Sequence, residues 1–493
     1  MAEIKKYIAI DIRPENTRIV LGSVSAEKVV LTPVYQFSHK PIQDDDLVFW
    51  DFSQIYSEVK KGIGLAAKQA GTQVWSLGIN AFGNDFGLLD TSGKLIENPR
   101  YYNSSPDETI LQKASELIPE KQLFECTGMH FSQSGSLYRL FSMRQSRSAA
   151  LARATNLLFI ADLFSYFLCG KRFTDYTIAG ASQLMDIRTG DWSKEILEKF
   201  SLPAQILPKI INPGTIIGQI TAKVGLEFGC GPIPVTAVGG NDEALAIACV
   251  CSPENQAYMY YGNSGLIGVE VNNLLSSNET YQAGFTVRVG IDEKVQLFKN
   301  FSGLYLLEQC KKHWEIDESE LSDKSLIKSA SQASSFAGLI DIDSKAFLTN
   351  SNMPDTINKY LEQIRQKKTQ NKGALVRTIL EAIAFKTKYI IEELEKAAAK
   401  KIDVIQIVGS LAENILLCQF IADASGRVVL AGPAEAVLSV NILMQAKATG
   451  QIGSMQQLRE ICGNSFESSR YQPQDAPKWD KKYKRIKKLF EKR

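Results

Sequence analysis

The feature that most constrains the fold is that the sequence lays out the same kind of pattern twice. In the first half, β-rich runs at 7–12 and 17–24 are separated by a short polar turn, which predicts a hairpin. Apolar residues then recur at helical spacing near 53–70, and an apolar run at 73–80 predicts the next strand. Strands that lead into alternating helices and strands are typical of an α/β domain.

The second half of the chain begins again in the same way. Runs rich in β-branched and aromatic residues predict strands, and helices and a further strand follow them. The predicted strands are 256–261, 266–271, 295–299 and 403–409, and the predicted helices are 303–313, 373–400, 414–424 and 436–448. We therefore expect two α/β domains hinged near 240–255, with an N-terminal domain at 1–245, a C-terminal domain at 246–470 and a tail at 471–493.

Composition limits the class of protein and of partner. A chain of 493 residues has room for about two to four domains of roughly 100–200 residues each. A net charge of +2 gives no general attraction to nucleic acid or membrane, and no apolar run reaches the roughly 18 residues of a membrane span. The eight cysteines form no Cys-x-x-Cys pair and the N-terminus does not resemble a signal peptide, so we expect reduced thiols and a cytoplasmic location.

The tail from Pro477 onwards is strongly basic and has an apolar edge. Ile486, Leu489 and Phe490 form that edge, while lysines and arginines occupy most of the other positions. Such a helix can contact nucleic acid or an acidic partner, or it can be a solvated terminal helix that docks through its apolar edge. The second interpretation is favoured.

Two aspartates stand at the ends of apolar strands. Asp11 lies near the end of the run 7–12, and Asp242 follows the apolar run that begins at Pro234. Two such carboxylates, far apart in the sequence, predict a cleft. One carboxylate would hold a metal ion, and the other would accept a proton from a substrate hydroxyl.

Several longer motifs carry a resemblance to a known family. They read GNDFGLLD at 83–90, ADLFSYFLCG at 161–170, TIAGASQLMD at 177–186, KNFSGLYLLE at 299–308 and LLCQFIADASGR at 416–427. In this order the chain resembles the FGGY-type carbohydrate kinases, most closely the rhamnulokinases, with the fuculokinases as near cousins. The resemblance runs from Tyr7 to about 473. It implies an α/β fold of two actin-like (ribonuclease-H-like) domains around a central cleft, with ATP and Mg2+ between the domains and a ketose in the N-terminal half.

The resemblance also implies roles for individual residues. Asp242 matches the base that accepts the proton of the sugar hydroxyl, and Asp11 matches the residue that holds magnesium through water. The positions that match nucleotide contacts are Arg18, Asn263, Gly409 and Asn414, and those that match sugar contacts are Gly83, Asn241, Glu243 and Asn300.

Simpler structural roles are open at three of these positions. Asp242 follows a strand and can satisfy a turn amide. Gly83 can serve only to permit a tight turn. Asn300 can cap the start of a helix.

The chain departs from the family mainly where phosphates are expected. In the loop after Asp11 the family has small residues with glycine and hydroxyls, whereas this chain has Arg13, Pro14 and Glu15. A phosphate cradle presents backbone N–H groups, and proline has none. A glutamate repels phosphate, and Arg13 either offsets that charge or binds a different anion. The family's triple glycine at the adenosine is also changed, because Leu411 stands in it.

The sugar side differs from the family as well. The family's Asp-Thr-Trp-Gly is Asn-Ala-Phe-Gly at 80–83, and its His before the base is Asn241. Its Asn-Glu-Gly-Gly is Val-Arg-Val-Gly at 287–290. On the nucleotide side, the family's Ala-Thr-Ala-x-Gly-Asn is Ala-Val-Leu-Ser-Val-Asn at 436–441. The changes therefore gather in loops that contact ligands, while the core motifs are intact.

Three functional hypotheses follow. The first is an ATP-dependent kinase that phosphorylates a ketose. The second is a catalytically impaired kinase-fold protein that binds a sugar or a partner without phosphorylating it. The third is a phosphotransferase with a different donor. In each case we expect a small-molecule partner, no nucleic acid, no membrane, and a monomer or homodimer.

Overall fold

The computed structural model describes residues 4–44, 47–71, 73–101, 108–132, 135–250, 255–261, 265–315, 321–348 and 352–491. Its strands, in chain order, are β1 (Lys5–Ile12), β2 (Asn16–Val24), β3 (Val29–Ser38), β4 (Ile42–Asp44), β5 (Leu47–Phe49), β6 (Val74–Ala81), β7 (Phe86–Leu89), β8 (Asn156–Phe159), β9 (Thr174–Asp175), β10 (Met185–Asp186), β11 (Asp191–Trp192), β12 (Ile210–Ile211), β13 (Thr215–Gln219), β14 (Pro234–Ala237), β15 (Gln256–Tyr261), β16 (Gly265–Val271), β17 (Thr286–Val289), β18 (Val295–Phe301), β19 (Val404–Val408), β20 (Val428–Ala431) and β21 (Ser469–Tyr471).

The helices, in chain order, are α1 (Phe52–Ala70), α2 (Glu108–Leu117), α3 (Glu120–Thr127), α4 (Ser136–Gln145), α5 (Ala149–Arg153), α6 (Ile160–Cys169), α7 (Tyr176–Ala181), α8 (Lys194–Lys199), α9 (Ala222–Phe228), α10 (Asp242–Ala248), α11 (Asn278–Gln282), α12 (Tyr305–Trp314), α13 (Asp323–Gln332), α14 (Met353–Gln363), α15 (Lys372–Ala397), α16 (Ile415–Ser425), α17 (Ala436–Ala448), α18 (Met455–Ser465) and α19 (Ala476–Phe490). No helix of the described residues is both long enough and apolar enough to span a bilayer.

The chain divides into two compact units, and neither is continuous in sequence. The first unit comprises Met1–Cys251, Val271–Gln296 and Ala436–Phe466. The second unit comprises Ser252–Glu270, Leu297–Glu435 and Glu467–Arg493. The continuous ranges 1–245, 246–470 and 471–493 expected from the sequence stay predictions.

The first unit is built on a six-stranded sheet in the order β13-β14-β6-β1-β2-β3. Strand β1 pairs in parallel with β6, and β6 pairs in parallel with β14. β1 and β2 form the antiparallel hairpin that the sequence predicts. β1 is buried from Tyr7 to Ile12, as expected of a central strand with a continuous apolar sequence. Helices α1 and α17 pack on this sheet.

The second unit contains strands in the order β18-β16-β15-β19-β20-β21. β19 pairs in parallel with β15 and with β20, whereas β16 and β21 pair with their neighbours β15 and β20 in antiparallel orientation. The long helix α15 forms the centre of the helical layer, where α13, α16 and α19 contact it. Its predicted range, 373–400, is confirmed apart from its last turn.

The basic C-terminal helix α19 docks through its apolar edge, as the favoured interpretation predicts. Trp479, Tyr483, Ile486 and Phe490 are buried. The Trp479 ring lies 4.9 Å from the ring of Phe385 on α15. The apolar edge therefore belongs to the core of the second unit, and the basic residues form its outer face.

Candidate active site

The carboxyl ends of neighbouring strands bring several predicted residues of the first unit together. Asp11 lies near the end of β1, beside Asn80 of β6 in the parallel register. Ala81, the last residue of β6, forms a β-bridge with Asn241. Asp242 comes next in the chain, so the aspartate predicted to hold the metal and the aspartate predicted to act as base lie along one edge of one sheet. This is the edge at which α/β proteins commonly bind their ligands.

Asp11 is already surrounded by hydrogen-bond donors. Its side chain is 1% exposed. Oδ1 accepts from Asn80 Nδ2 at 2.7 Å, and Oδ2 accepts from Arg13 Nε at 2.8 Å. Arg18 stands directly opposite Asp11 in the β1–β2 ladder, and residues so paired share a face of the sheet. The carboxylate therefore contacts one amide and one guanidinium group, and a second arginine is its partner in the ladder.

A chain of buried amides fixes the orientation of the Asn80 side chain. Gln445 Nε2 donates to the backbone carbonyl of Ile8 at 3.0 Å and to Asn441 Oδ1 at 2.8 Å. Asn441 Nδ2 donates to Asn80 Oδ1 at 2.8 Å. Because the Ile8 carbonyl can only accept, each amide in turn must donate to the next acceptor. The amide nitrogen of Asn80 therefore faces Asp11.

The turn between β1 and β2 offers an anion few backbone donors. The Arg13 N–H donates to the Asn16 carbonyl at 2.9 Å and closes the turn. Pro14 has no N–H, and Glu15 is exposed. The Arg13 side chain is 42% exposed. The turn thus attracts an anion mainly through that one guanidinium group.

Asp242 is the first residue of α10, and Asn241 is the N-cap of this helix. The N–H of Glu243 donates to Asn241 Oδ1 at 2.9 Å and to Asp242 Oδ1 at 3.0 Å. The turn-amide role that the sequence left open for Asp242 is therefore present, through one carboxylate oxygen. The contact fixes this carboxylate relative to the backbone of the helix start.

A buried carboxylate supports the loop that leads to Asp242. Asp175 Oδ1 accepts from the N–H and the hydroxyl of Thr177 at 2.8 and 2.6 Å, and Oδ2 accepts from the Gly239 N–H at 3.2 Å. Thr177 Oγ1 accepts from the Asn241 N–H at 3.3 Å. Burial raises the pKa of the Asp175 carboxyl group. Neither Asp175 nor Thr177 was predicted as part of the site, although Thr177 opens one of the motifs that carry the resemblance.

Glu243, which the resemblance assigns to the sugar, forms an ion pair with Arg288. Arg288 Nη2 lies 3.1 Å from Glu243 Oε2, and the two side chains are 3% and 25% exposed. Position 288 falls in the run where the family has Asn-Glu-Gly-Gly, so a cation stands where the family has an anion. The sequence shows that Arg288 replaces the family's glutamate, but only the structure shows that Arg288 pairs with Glu243.

The turn at Gly83 requires glycine for its backbone conformation. Its φ is +75°, and an added Cβ would meet nothing within 4 Å. The turn is followed by Asp85, which is 1% exposed and accepts from Trp50 Nε1 at 2.7 Å and from Arg139 Nη1 at 2.5 Å. The tight-turn role of Gly83 is thus present, and its contact with a sugar stays a prediction.

In the second unit, two of the residues assigned to the nucleotide have clear structural roles. Gly409 has a φ of +79°, and an added Cβ would lie 2.9 Å from the Tyr260 ring. Asn414 caps α16, because its Oδ1 accepts from the Leu417 N–H at 3.1 Å. These roles explain the residue types without a nucleotide, and they leave the assignment to the nucleotide as a prediction.

Three further positions in the second half of the chain were singled out from the sequence, namely Asn263, Asn300 and Leu411. Asn300 is exposed within β18 and Leu304 is the N-cap of α12, so the helix-cap explanation for Asn300 is wrong. Leu411 is 2% exposed and packs within the unit. Asn263 lies outside the described residues.

The residues around Asp11 do not fit a bound magnesium ion. Mg2+ keeps several waters in its octahedral shell, and an ion held through water needs those waters to donate to the Asp11 carboxylate. At Asp11 the neighbours are instead the amide nitrogen of Asn80 and the guanidinium group of Arg13. Among the described residues there is no group of three or more His, Cys, Asp or Glu that would hold a metal ion.

Comparison with known proteins identifies relatives along nearly the whole chain. The N-terminal-domain model of the FGGY family of carbohydrate kinases matches residues 6–249, and the C-terminal-domain model matches 257–449. The rhamnulokinase of Bacteroides thetaiotaomicron is 31% identical over 97% of this chain and 98% of its own length. The rhamnulokinase of Oceanobacillus iheyensis is 28% identical over 94% and 97%.

Solved structures of kinases have the same fold. A gluconate kinase from Lactobacillus acidophilus matches with a TM-score of 0.80 at 16% identity, over 99% of this chain and 97% of its own. A ligand-bound xylulose kinase from the same organism matches with a TM-score of 0.80 at 17% identity and the same coverage. The predicted fold class, α/β with two actin-like domains, is confirmed.

Proposed function

Because this chain belongs to the FGGY family of carbohydrate kinases, we propose that it transfers the γ-phosphate of ATP to a hydroxyl group of a ketose of the rhamnulose type. Family membership makes the chain an ATP-dependent sugar kinase. The choice of a ketose rests on the names of its relatives, two of which are rhamnulokinases that align over nearly their whole length.

The observation that carries the proposal is the position of Asp242 at the sheet edge. Phosphoryl transfer requires little covalent chemistry from the protein beyond a base for the attacking hydroxyl and charge to balance the phosphates. Asp242 begins α10 and one of its oxygens accepts the Glu243 N–H at 3.0 Å. A carboxylate held in this way suits a base, because it can accept a proton without first having to be oriented.

The proposed sugar contacts are Gly83, Asn241, Glu243 and Asn300. Asn241 is 7% exposed and its Oδ1 already accepts the Glu243 N–H, so its contribution to a sugar would come from the amide nitrogen. Glu243 would accept hydrogen bonds from sugar hydroxyls, and Arg288 would hold it in position. The choice among epimeric ketoses depends on a few such hydrogen bonds.

The proposed nucleotide contacts are Arg18, Asn263, Gly409 and Asn414. Arg18 shares a sheet face with Asp11, which supports a role for its guanidinium group beside phosphate. Asp11 is proposed to lie near the phosphates. No step of the mechanism is assigned to a magnesium ion, since the residues around Asp11 do not fit one.

A working kinase is favoured over a protein that binds a sugar without phosphorylating it. The relatives and solved structures described above all carry kinase names. We further propose a cytoplasmic location, which agrees with the free cysteines of the described residues. A monomer or homodimer is proposed as well.

A panel of ketoses tests the proposal. The full-length chain is incubated with ATP, Mg2+ and L-rhamnulose, L-fuculose or D-xylulose, and ADP release is followed in a coupled assay. We expect ADP release that depends on one of these ketoses. Thermal melting with ATP provides the binding control, because a ligand at 100 times its Kd adds about 2.7 kcal/mol. A folded chain that melts unchanged with ATP and releases no ketose-dependent ADP would overturn the proposal.

A further inference from the structure

The environment of Asp11 combines two changes in charge that act in the same direction. Position 80 opens the run where the family has Asp-Thr-Trp-Gly, so Asn80 replaces a carboxylate. Position 13 lies in a loop where the family has small residues, so Arg13 adds a permanent positive charge. Both side chains contact the Asp11 carboxylate directly, at 2.7 and 2.8 Å. Among the groups that contact Asp11, one negative charge is therefore lost and one positive charge is gained, while Glu15 of the same loop is exposed.

The first of these changes is fixed by the buried amides of the unit. Asn441 Nδ2 donates to Asn80 Oδ1, which leaves the Asn80 amide nitrogen toward Asp11. A flip of the Asn80 amide would place two NH2 groups against each other and would break both contacts. Asn80 is 0% exposed, so water does not offer it other partners. Asn80 therefore cannot turn its oxygen toward a cation beside Asp11.

The second change is set by the turn. The N–H of Arg13 closes the turn on the Asn16 carbonyl, and the side chain folds back to the residue two positions earlier. A divalent cation on Asp11 would meet this guanidinium group at close range, and the repulsion would be twice that between two unit charges. The cation would have to displace Arg13 from Asp11 before it could bind there.

We propose that Arg13 is the resident counter-cation of Asp11 and takes the place of the divalent cation that the family binds at this carboxylate. The chain then binds Mg2+ or Mn2+ weakly at Asp11, and the guanidinium group supplies the positive charge at this edge. The inference deepens the proposed function and rests on it for one point, that the phosphates of ATP approach Asp11.

Manganese binding to the full-length chain without nucleotide tests this inference. Mn2+ favours the same oxygen ligands as Mg2+, and its electron paramagnetic resonance signal reports the free ion. We compare wild type with Arg13→Ala, Asn80→Asp and the double variant. We expect the Mn2+ affinity of the double variant to rise about tenfold or more. Changes in residues that contact a metal ligand typically alter metal affinity by about this factor. Adding Asp11→Asn to the double variant should remove the gain.

The chain offers a matched control. Arg188 also folds back on the aspartate two residues earlier, with its Nε 2.9 Å from Asp186 Oδ1, and it is exposed. Arg188→Ala should leave Mn2+ binding as in wild type. Because the Arg13 side chain is 42% exposed, Arg13→Ala is expected to fold. If Asn80→Asp lowers the yield of folded protein, the Mn2+ affinity of the single variant Arg13→Ala, compared with that of wild type, decides the question.

Either outcome of the titration is decisive. A higher Mn2+ affinity in the variants than in wild type supports the inference. Variants that bind Mn2+ no more tightly than wild type would overturn it. The result does not depend on turnover. A chain that phosphorylates no ketose would contradict the proposed function and would leave the manganese result to stand on its own.

Discussion

Glu381 on α15 is a buried carboxyl group whose protonation should control the stability of the second unit. Its side chain is 1% exposed. Arg377 Nε lies 2.7 Å from Oε1, and the Phe336 N–H donates to Oε2 at 2.8 Å. Burial outweighs these favourable contacts and raises the pKa of Glu381 from 4.5 to about 7. The folded chain therefore binds this proton more tightly than the unfolded chain does.

The direction of the pH effect follows from this raised pKa. The contribution of Glu381 to the free energy of unfolding is complete below pH 4.5 and is lost as the pH rises through about 7. Since one pKa unit corresponds to about 1.4 kcal/mol, a shift of this size corresponds to about 3 kcal/mol. The contribution of Glu381 should thus make the second unit less stable at pH 8 than at pH 5.

Hydrogen exchange of the α15 backbone amides measures this effect, because it reports the local free energy of unfolding. We compare wild type with Glu381→Gln at pH 5 and pH 8. We expect the wild type to lose about 3 kcal/mol relative to the variant over this range. The cost of leaving Arg377 without a counter-charge cancels, because it is the same at both pH values.

A carboxylate on the same helix provides the control. Glu393 forms an ion pair with exposed Lys396 at 3.0 Å, and Glu393→Gln should leave the pH dependence of the wild type unchanged. The reasoning is refuted if wild type and Glu381→Gln differ by the same free energy at pH 5 and pH 8.

Three further predictions concern buried contacts. Thr177→Val removes the acceptor of the Asn241 N–H, so we expect the free energy of unfolding to fall by about 1–3 kcal/mol and this amide to exchange faster. Thr177→Ser should retain the stability and the exchange rate of wild type, and equal exchange in the two variants would contradict the contact. Asp85→Asn leaves the Arg139 guanidinium buried without its counter-charge, and urea unfolding should show a loss of about 3–5 kcal/mol, against almost none if the pair is unimportant. Trp479→Ala should cost about 3–5 kcal/mol and expose α19 to proteolysis, and an unchanged cleavage rate would argue against its docking.

The strands and helices were largely predictable because their patterns are local. The runs 7–12 and 17–24 are rich in β-branched and aromatic residues, as strands are, and the hairpin β1–β2 forms at that place. The long apolar and charged periodicity near 373–400 predicts α15 for the same reason. Helix caps were not predicted as well, because Asn300 is no helix cap and the role of Asn414 as the N-cap of α16 was not foreseen.

The contacts that surround Asp11 were not predictable in this way. Asn80 and Asn441 are hydrogen-bonded although 361 residues separate them, and no local pattern encodes such a pairing. From the sequence, Arg13 was expected either to offset the charge of Glu15 or to bind a different anion. Its contact with Asp11 was not among these expectations. The support of the Asp242 loop by Asp175 and Thr177 was not predicted, because 64 residues separate these side chains from the N–H groups that they bind.

The assignment of Asp242 shows where family resemblance goes beyond local pattern. Taken alone, an aspartate after a strand predicts a turn amide, and that contact exists at 3.0 Å. The resemblance adds the second role, as base, which stays a prediction. The two roles are compatible, and an experiment on Asp242 must therefore separate them.

The most direct test is 31P nuclear magnetic resonance of ATP and the preferred ketose with wild type, Asp242→Asn and a matched control. Asp191→Asn serves as that control, because Asp191 is exposed and also accepts the N–H of the next residue, at 2.8 Å. We predict a new sugar phosphate signal with wild type and Asp191→Asn, and a rate about 10²–10⁴-fold lower with Asp242→Asn. A sugar phosphate formed equally fast by Asp242→Asn, or no sugar phosphate from the folded wild type, would contradict the account.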